Sequence, residues 1–227
     1  MNTTGLLLVG ISGICWTIVY IELIRNGIKD KACGMPLFAL GLNIVWEFLY
    51  SIDGFFISKE FMMVQNIADL AWALCDVFIL ACWFRYGKQY LPERARKYFV
   101  QFTVLALIVC VGMQLAFYLY CDTATEASIY SAFAQNVAMS VMFLTALFQC
   151  GNAKGFSLLG AVCKCIGTLT PTIWGCVEAG GIQIYIFITG MLCFIVDIIY
   201  IYFMLQMERM DKNEGDMKDW REVREYY

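Results

Sequence analysis

Apolar residues in this chain come in long unbroken runs, separated by short polar stretches that hold most of the charge. Seven runs of about 20 residues fall at 4–24, 34–57, 63–84, 98–121, 128–150, 156–178 and 183–206, each long enough as a helix to cross the hydrocarbon core of a bilayer. The predicted fold is all-α: a polytopic membrane protein with a seven-transmembrane-helix bundle over residues 1–206 and a charged, solvated tail over 207–227. Connections are short, with Pro92 in the longest basic one and Gly180 and Gly181 predicting a tight turn before the last helix. No fixed-period repeat is visible, which weakens an inverted-repeat transporter architecture.

Composition agrees with the pattern. Of 227 residues, 61% are apolar and 15% charged, with a mean hydropathy of +0.67, which places the chain among integral, multi-pass membrane proteins. Basic residues sort by loop. Arg25, Lys29, Lys31, Arg85, Lys88, Arg94, Arg96, Lys97, Lys154, Arg209, Lys212, Lys218, Arg221 and Arg224 fall on one side and Lys59 alone on the other, so the N-terminus is expected outside and the C-terminus in the cytoplasm. They form no single stripe, so no nucleic-acid partner is implied. The N-terminal run lacks a basic region before it and is expected to stay as a membrane helix. The eleven cysteines lie mostly inside apolar runs, and the chain has no histidine, so they read as small buried residues; no metal site and no cofactor is expected.

Against this background the stretch 41–50, GLNIVWEFLY, stands out for an acid at membrane depth. A charge at the centre of a membrane helix costs roughly 2.5–3.5 kcal/mol on insertion scales, so an intramembrane carboxyl is by default a functional candidate. On a helix, Asn43, Trp46, Glu47 and Tyr50 fall at i, i+3, i+4 and i+7 and share one face, which also suits helix packing. Asp76, Lys164 and Asp197 lie at similar depth, giving three acids and one base. At least one carboxyl then lacks a cation, and keeping an ordinary Asp protonated at neutral pH costs about 4 kcal/mol, no more than burying the bare charge. Glu47 or Asp197 is the expected neutral, proton-donating acid, with Asp76 held ionised near Lys164. Spacing also puts Asp69, Trp72 and Asp76 on one face of the third helix, and Phe194, Asp197 and Tyr200 on one face of the seventh. Gln135, Asn136 and Ser140 add polar groups on the fifth helix, while Gly167, Thr168 and Pro171 on the sixth suit close helix contact.

These residues form N-x-x-W-E-x-x-Y at Asn43, Trp46, Glu47 and Tyr50, W-x-x-x-D at Trp72 and Asp76 followed by Tyr86 and Gly87, and Q-N-x-x-M-S from Gln135 to Ser140. K-x-x-G-T follows from Lys164 and C-F-x-x-D-x-x-Y-I from Cys193. In these motifs the chain resembles the small seven-helix integral-membrane terpene cyclases of fungal meroterpenoid and indole-diterpene pathways and their bacterial relatives. The resemblance implies two essential acids, at Glu47 and Asp197, and cyclisation of a prenyl chain begun by protonating a terminal epoxide or alkene. The implied reaction is an isomerisation of intramolecular-lyase type, and the implied substrate a prenylated lipophilic molecule arriving from the bilayer.

The motifs that are absent point the same way. The chain has neither a D-D-x-x-D run to hold magnesium on a diphosphate nor the D-x-D-D of soluble protonating cyclases, which leaves single, separated carboxyls suited to metal-independent general acid catalysis. Trp46, Tyr50, Trp72, Phe194 and Tyr200 are expected to shield the carbocation in a chamber between helices two, three and seven, with Asn43, Asp76, Asn136 and Lys164 also at the substrate site. The rival from another class is a proton-coupled small-molecule transporter or channel using the same buried acids. A retinal protein fits poorly, because its lysine belongs on the last helix, where this chain has Asp197.

Overall fold

The structure is a computed structural model that describes residues 3–177 and 183–225. Among these are seven long helices: α1 Thr3–Asp30, α2 Leu37–Phe56, α3 Met63–Tyr86, α4 Phe99–Tyr120, α5 Ala124–Cys150, α6 Leu158–Val177 and α7 Ile184–Glu225. Two 3-10 turns, Gly87–Tyr90 and Glu93–Tyr98, join α3 to α4. Helix α7 runs on through the expected tail as far as Glu225. The Gly180–Gly181 turn and the side chains of the tail beyond residue 212 lie outside the described residues.

Local signals set the helix ends. Pro36 is extended at φ −60°, ψ 143° just before α2, as the fixed proline ring allows. At α5 the Thr123 hydroxyl accepts from the Glu126 N–H at 3.1 Å, a Thr-x-x-Glu start that begins this helix four residues earlier than hydropathy predicts. The same helix stops at Gly151, whose φ of 63° is open to glycine at little cost.

Among the described residues six of the helices are long and apolar enough to cross a membrane, and α2 is the exception to the expected seven. Its hydropathy is lowered by Asn43, Glu47, Ser51 and Asp53, all of which are buried. Twelve of its twenty residues are buried, against five of twenty-two on α4, so α2 is an inner helix and α4 an outer one. The buried residues of α4, Phe99, Thr103, Ala106, Cys110 and Gln114, form one stripe, while Leu105, Ile108 and Leu119 point outward. Contacts run α1–α3–α2–α5–α7–α6 and back to α1, a closed ring with α4 laid against α2 and α5.

Pro171, inside α6, has no N–H for the Gly167 carbonyl one turn earlier. Ser12 on α1 donates to that carbonyl at 2.7 Å, so the break becomes a tie between the two helices. Gly167 permits the approach: a Cβ there would lie 3.0 Å from the Trp16 ring.

Candidate active site

The ring lines a half-open cavity of about 400 Å³ toward the end of the bundle that carries the α2–α3 and α4–α5 loops. Its wall is aromatic: Trp16, Tyr20, Trp46, Phe61, Trp72, Phe133 and Trp174 all contribute. Glu60, in the α2–α3 loop, accepts from the Thr125 N–H at 3.1 Å and hydroxyl at 2.9 Å, which fixes Phe61 and Met62 across the rim. On the deeper side stand Asn43, Glu47, Gln135 and Asn136.

Glu47 is 2% exposed. Its Oε1 accepts from the Tyr20 hydroxyl and, at 3.0 Å, from the Asn43 amide. That amide also donates to Asp76 Oδ2 at 2.9 Å and to the Tyr20 oxygen, so its two hydrogens face three oxygens. The network continues outward: Gln135 donates to Asn43 Oδ1 at 3.4 Å, and Gln114 donates to Gln135 at 2.7 Å and to the Leu42 carbonyl at 3.1 Å. Four helices thus meet at the Asn43 amide, and Gln114 of α4 joins the network through Gln135. Tyr20 is held in turn by its ring, stacked on Trp72 at 6.0 Å with 21° between planes, and Trp72 donates to Thr17 at 3.1 Å. Neither Glu47 nor Asp76 has a cationic partner among the described residues.

The single deep cation is spent elsewhere. Lys164 donates to Asp197 at 2.8 and 3.0 Å and to Ser140 at 2.6 Å, using all three ammonium hydrogens, and both charged side chains are almost wholly enclosed. The expected pairing of Asp76 with Lys164 is therefore corrected: Asp197 holds the lysine, and Asp76 lies against Asn43. The expected chamber is corrected too. Helix α7 touches the cavity only through Ile186, and Asp197 comes eleven residues later, about 16 Å along a helix.

Of the residues expected at the site, Asn43, Trp46, Glu47, Trp72 and Asn136 line the cavity. Trp46 donates to the Ser128 carbonyl at 3.1 Å and packs on Tyr50 at 5.1 Å. Tyr50 and Asp76 are buried behind the wall, while Lys164, Phe194, Asp197 and Tyr200 do not line it. Tyr200 packs against Phe143 at 5.9 Å and shares with Lys164 a separate void of about 20 Å³. Sequence reasoning missed Tyr20 and Trp16, whose signal was the i, i+4, i+8 stripe of Ser12, Trp16 and Tyr20 on an otherwise unremarked helix. Asp69 lines the cavity, accepting from Gln65 at 2.6 Å.

Three buried polar atoms on lining residues have no protein partner among the described residues: Glu47 Oε2, Asn136 Oδ1 and Trp174 Nε1. Buried polar atoms are rarely left so, and these three belong to residues of the cavity wall.

A family profile for Pyr4-like transmembrane terpene cyclases matches residues 3–210. The chain belongs to that family. Among curated proteins it is 30% identical over 152 residues to the Pyr4-family terpene cyclase mfmH of Annulohypoxylon moriforme, covering 64% of this chain and 59% of that protein. It is 28% identical over 139 residues to the terpene cyclase macJ of Penicillium terrestre, covering 60% and 47%. Similarity to the terpene cyclase pyr4 of Aspergillus fumigatus is lower, 24%, but runs over 220 residues, 88% of this chain and 85% of that protein. The chain thus spans about half the length of the first two relatives. No solved structure matches it significantly.

Proposed function

We propose that this chain is a membrane terpene cyclase that starts cyclisation of a prenyl chain by protonation from Glu47. One observation carries the reading: a buried carboxyl with a free oxygen and no cation stands at an aromatic-walled cavity whose volume falls in the roughly 300–1,000 Å³ range of small-molecule sites. Two carboxyls around one amide and away from any cation cannot both be ionised cheaply, so one proton stays with the Glu47–Asp76 pair. Tyr20 and Asn43 hold Glu47 Oε1, and Oε2 is left without a hydrogen-bond donor among the described residues.

In the proposed reaction the Glu47 O–H bond breaks as its proton passes to the epoxide oxygen or the terminal alkene carbon. The C–O or π bond opens, and each successive double bond supplies the electron pair for a ring. The last cation loses a proton or is captured by a substrate hydroxyl, which releases one, and that proton restores the acid. The product is an isomer of the substrate. Trp16, Trp46, Trp72 and Phe133 stabilise the travelling charge by about 0.5–2 kcal/mol per desolvated ring. Asn136 and Trp174 offer an acceptor and a donor to a polar head group, which favours a meroterpenoid-like substrate over a bare hydrocarbon.

Asp197 is proposed to act from behind the wall, through an ion pair that fastens α7 to α6 with Ser140 of α5. Tyr50 supports the wall by packing on Trp46. The charge pattern favours an N-terminus outside and a cytoplasmic C-terminus, with the substrate entering from the bilayer. The transporter reading needs a polar path between the two ends of the bundle. Leu40, Ile79 and Met139, all at most 2% exposed, follow the polar cluster one turn deeper on α2, α3 and α5 and work against such a path.

Expression in a host without such enzymes, fed prenylated candidates with and without a terminal epoxide, tests the reading. Wild type should give cyclised isomers, and Glu47→Gln should lower product formation by about 10²–10⁴-fold, the usual size of a general-acid contribution. A folded wild type that leaves a broad panel unchanged counts against cyclisation, and undiminished conversion by Glu47→Gln removes this acid from the role.

A further inference from the structure

At the opposite end of the bundle lies a second, larger cavity of about 660 Å³, on the far side of the Leu40, Ile79 and Met139 layer. Its chemistry is divided. The inner part is apolar, with Met35, Leu37 and Phe156 buried. One side carries Phe38 and Phe102, each 37% exposed and packed edge to face at 6.1 Å across α2 and α4. At the mouth are Lys31 and Lys154, and neither makes an ion pair among the described residues. Asp30 also lines the cavity, accepting from the Gly155 N–H at 2.9 Å, and Asp211 accepts from the Ala153 N–H at 2.9 Å, so both acids are held by backbone and neither pairs with a lysine among the described residues.

The walls are fixed by bonds that a collapsible gap would lack. Tyr90 accepts from the Cys33 N–H at 2.9 Å, Gln89 donates to the Lys31 carbonyl at 3.3 Å, and Trp83 donates to Thr103 at 3.0 Å. This is also the end that gathers the basic loops, with Arg85, Lys88, Arg94, Arg96 and Lys97 close by in sequence.

We infer that this cavity is a binding site for an anionic phospholipid of the surrounding bilayer, with its phosphate between Lys31 and Lys154 and an acyl chain entering past Phe38 and Phe102. Basic pockets between transmembrane helices at the positively charged face of a membrane protein take such head groups. The half-exposed phenylalanines give the chain an entrance from the hydrocarbon layer, and the separating apolar layer keeps the lipid out of the aromatic cavity. The inference does not depend on the proposed cyclase activity.

The full-length protein, purified in mild detergent, is titrated with short-chain phosphatidylglycerol or phosphatidylcholine and followed by native mass spectrometry. Phosphatidylglycerol should bind at least about tenfold more tightly, and Lys31→Ala/Lys154→Ala should remove that preference. Arg94→Ala/Lys97→Ala, which deletes the same charge from exposed positions outside the cavity, should leave it unchanged. Met142→Trp, which fills the cavity with both lysines kept, should weaken binding on its own. Equal binding of the two lipids, equal losses in both double variants, or no effect of Met142→Trp overturns the assignment. Displacement of phosphatidylglycerol by farnesyl phosphate at lower concentration would also overturn it, in favour of a phosphorylated isoprenoid.

Discussion

Replacing Lys164 by Met leaves Asp197 buried without its cation. The ammonium sits 2.8 and 3.0 Å from the two carboxylate oxygens, and the side chains are 2% and 1% exposed, so solvent screens the pair little. At an effective dielectric near 20, charges about 3 Å apart attract by roughly 5 kcal/mol, and breaking one side of a buried pair typically costs about 3–5 kcal/mol. That is a large share of the roughly 5–15 kcal/mol that holds a domain folded. Lys164→Met/Asp197→Leu, which removes both charges, should recover most of the loss, because burying the pair also costs desolvation. The assay is thermal unfolding in detergent with a thiol-reactive dye, since Cys163, Cys165 and Cys193 are buried beside the pair in sequence and report its opening. A loss below about 1 kcal/mol in Lys164→Met, or a double variant no more stable than the sum of the singles, refutes the reasoning. Turnover separates two roles for Asp197. If it acts by holding α7 to α6, Lys164→Met and Asp197→Asn lose activity alike; if it passes a proton to substrate, Asp197→Asn is far worse.

Three further outcomes are expected. Tyr20→Phe removes the hydroxyl that donates to Glu47 and keeps the ring on Trp72, so kcat should fall about ten- to a hundredfold with KM nearly unchanged, measured by product formation under saturating substrate. Thr123→Ala deletes the cap of α5 and should cost about 1 kcal/mol of stability in the same thermal assay, with little effect on turnover. Burial pushes the Cys33 thiol, in the α1–α2 connection, up to about 12. A thiol raised this way stays protonated and unreactive until the pH nears that value, so in folded protein at pH 8 Cys33 should resist iodoacetamide, and peptide mass spectrometry should find it labelled only after unfolding.

The stripe of Asn43, Trp46 and Glu47 could be read from the sequence, because a 3.6-residue period sets side chains on one face whatever surrounds the helix. The same rule placed Asp69, Trp72 and Asp76 together on α3. It could not assign partners. Three acids and one lysine at similar depth allow several pairings, and only helix packing chose Asp197 for Lys164 and Asn43 for Asp76. Tyr20 was missed for a related reason: its chain neighbours are apolar, and its role comes from Glu47, 27 positions away.

What the sequence determined by itself is the length and greasiness of the helices and the acids set among apolar residues, since these follow from local composition and from the cost of placing charge in hydrocarbon. Tertiary structure alone decided which acid faces a hollow and which is locked in an ion pair. That choice depends on how helices distant in sequence rotate and slide to satisfy buried polar groups, and no single segment encodes it.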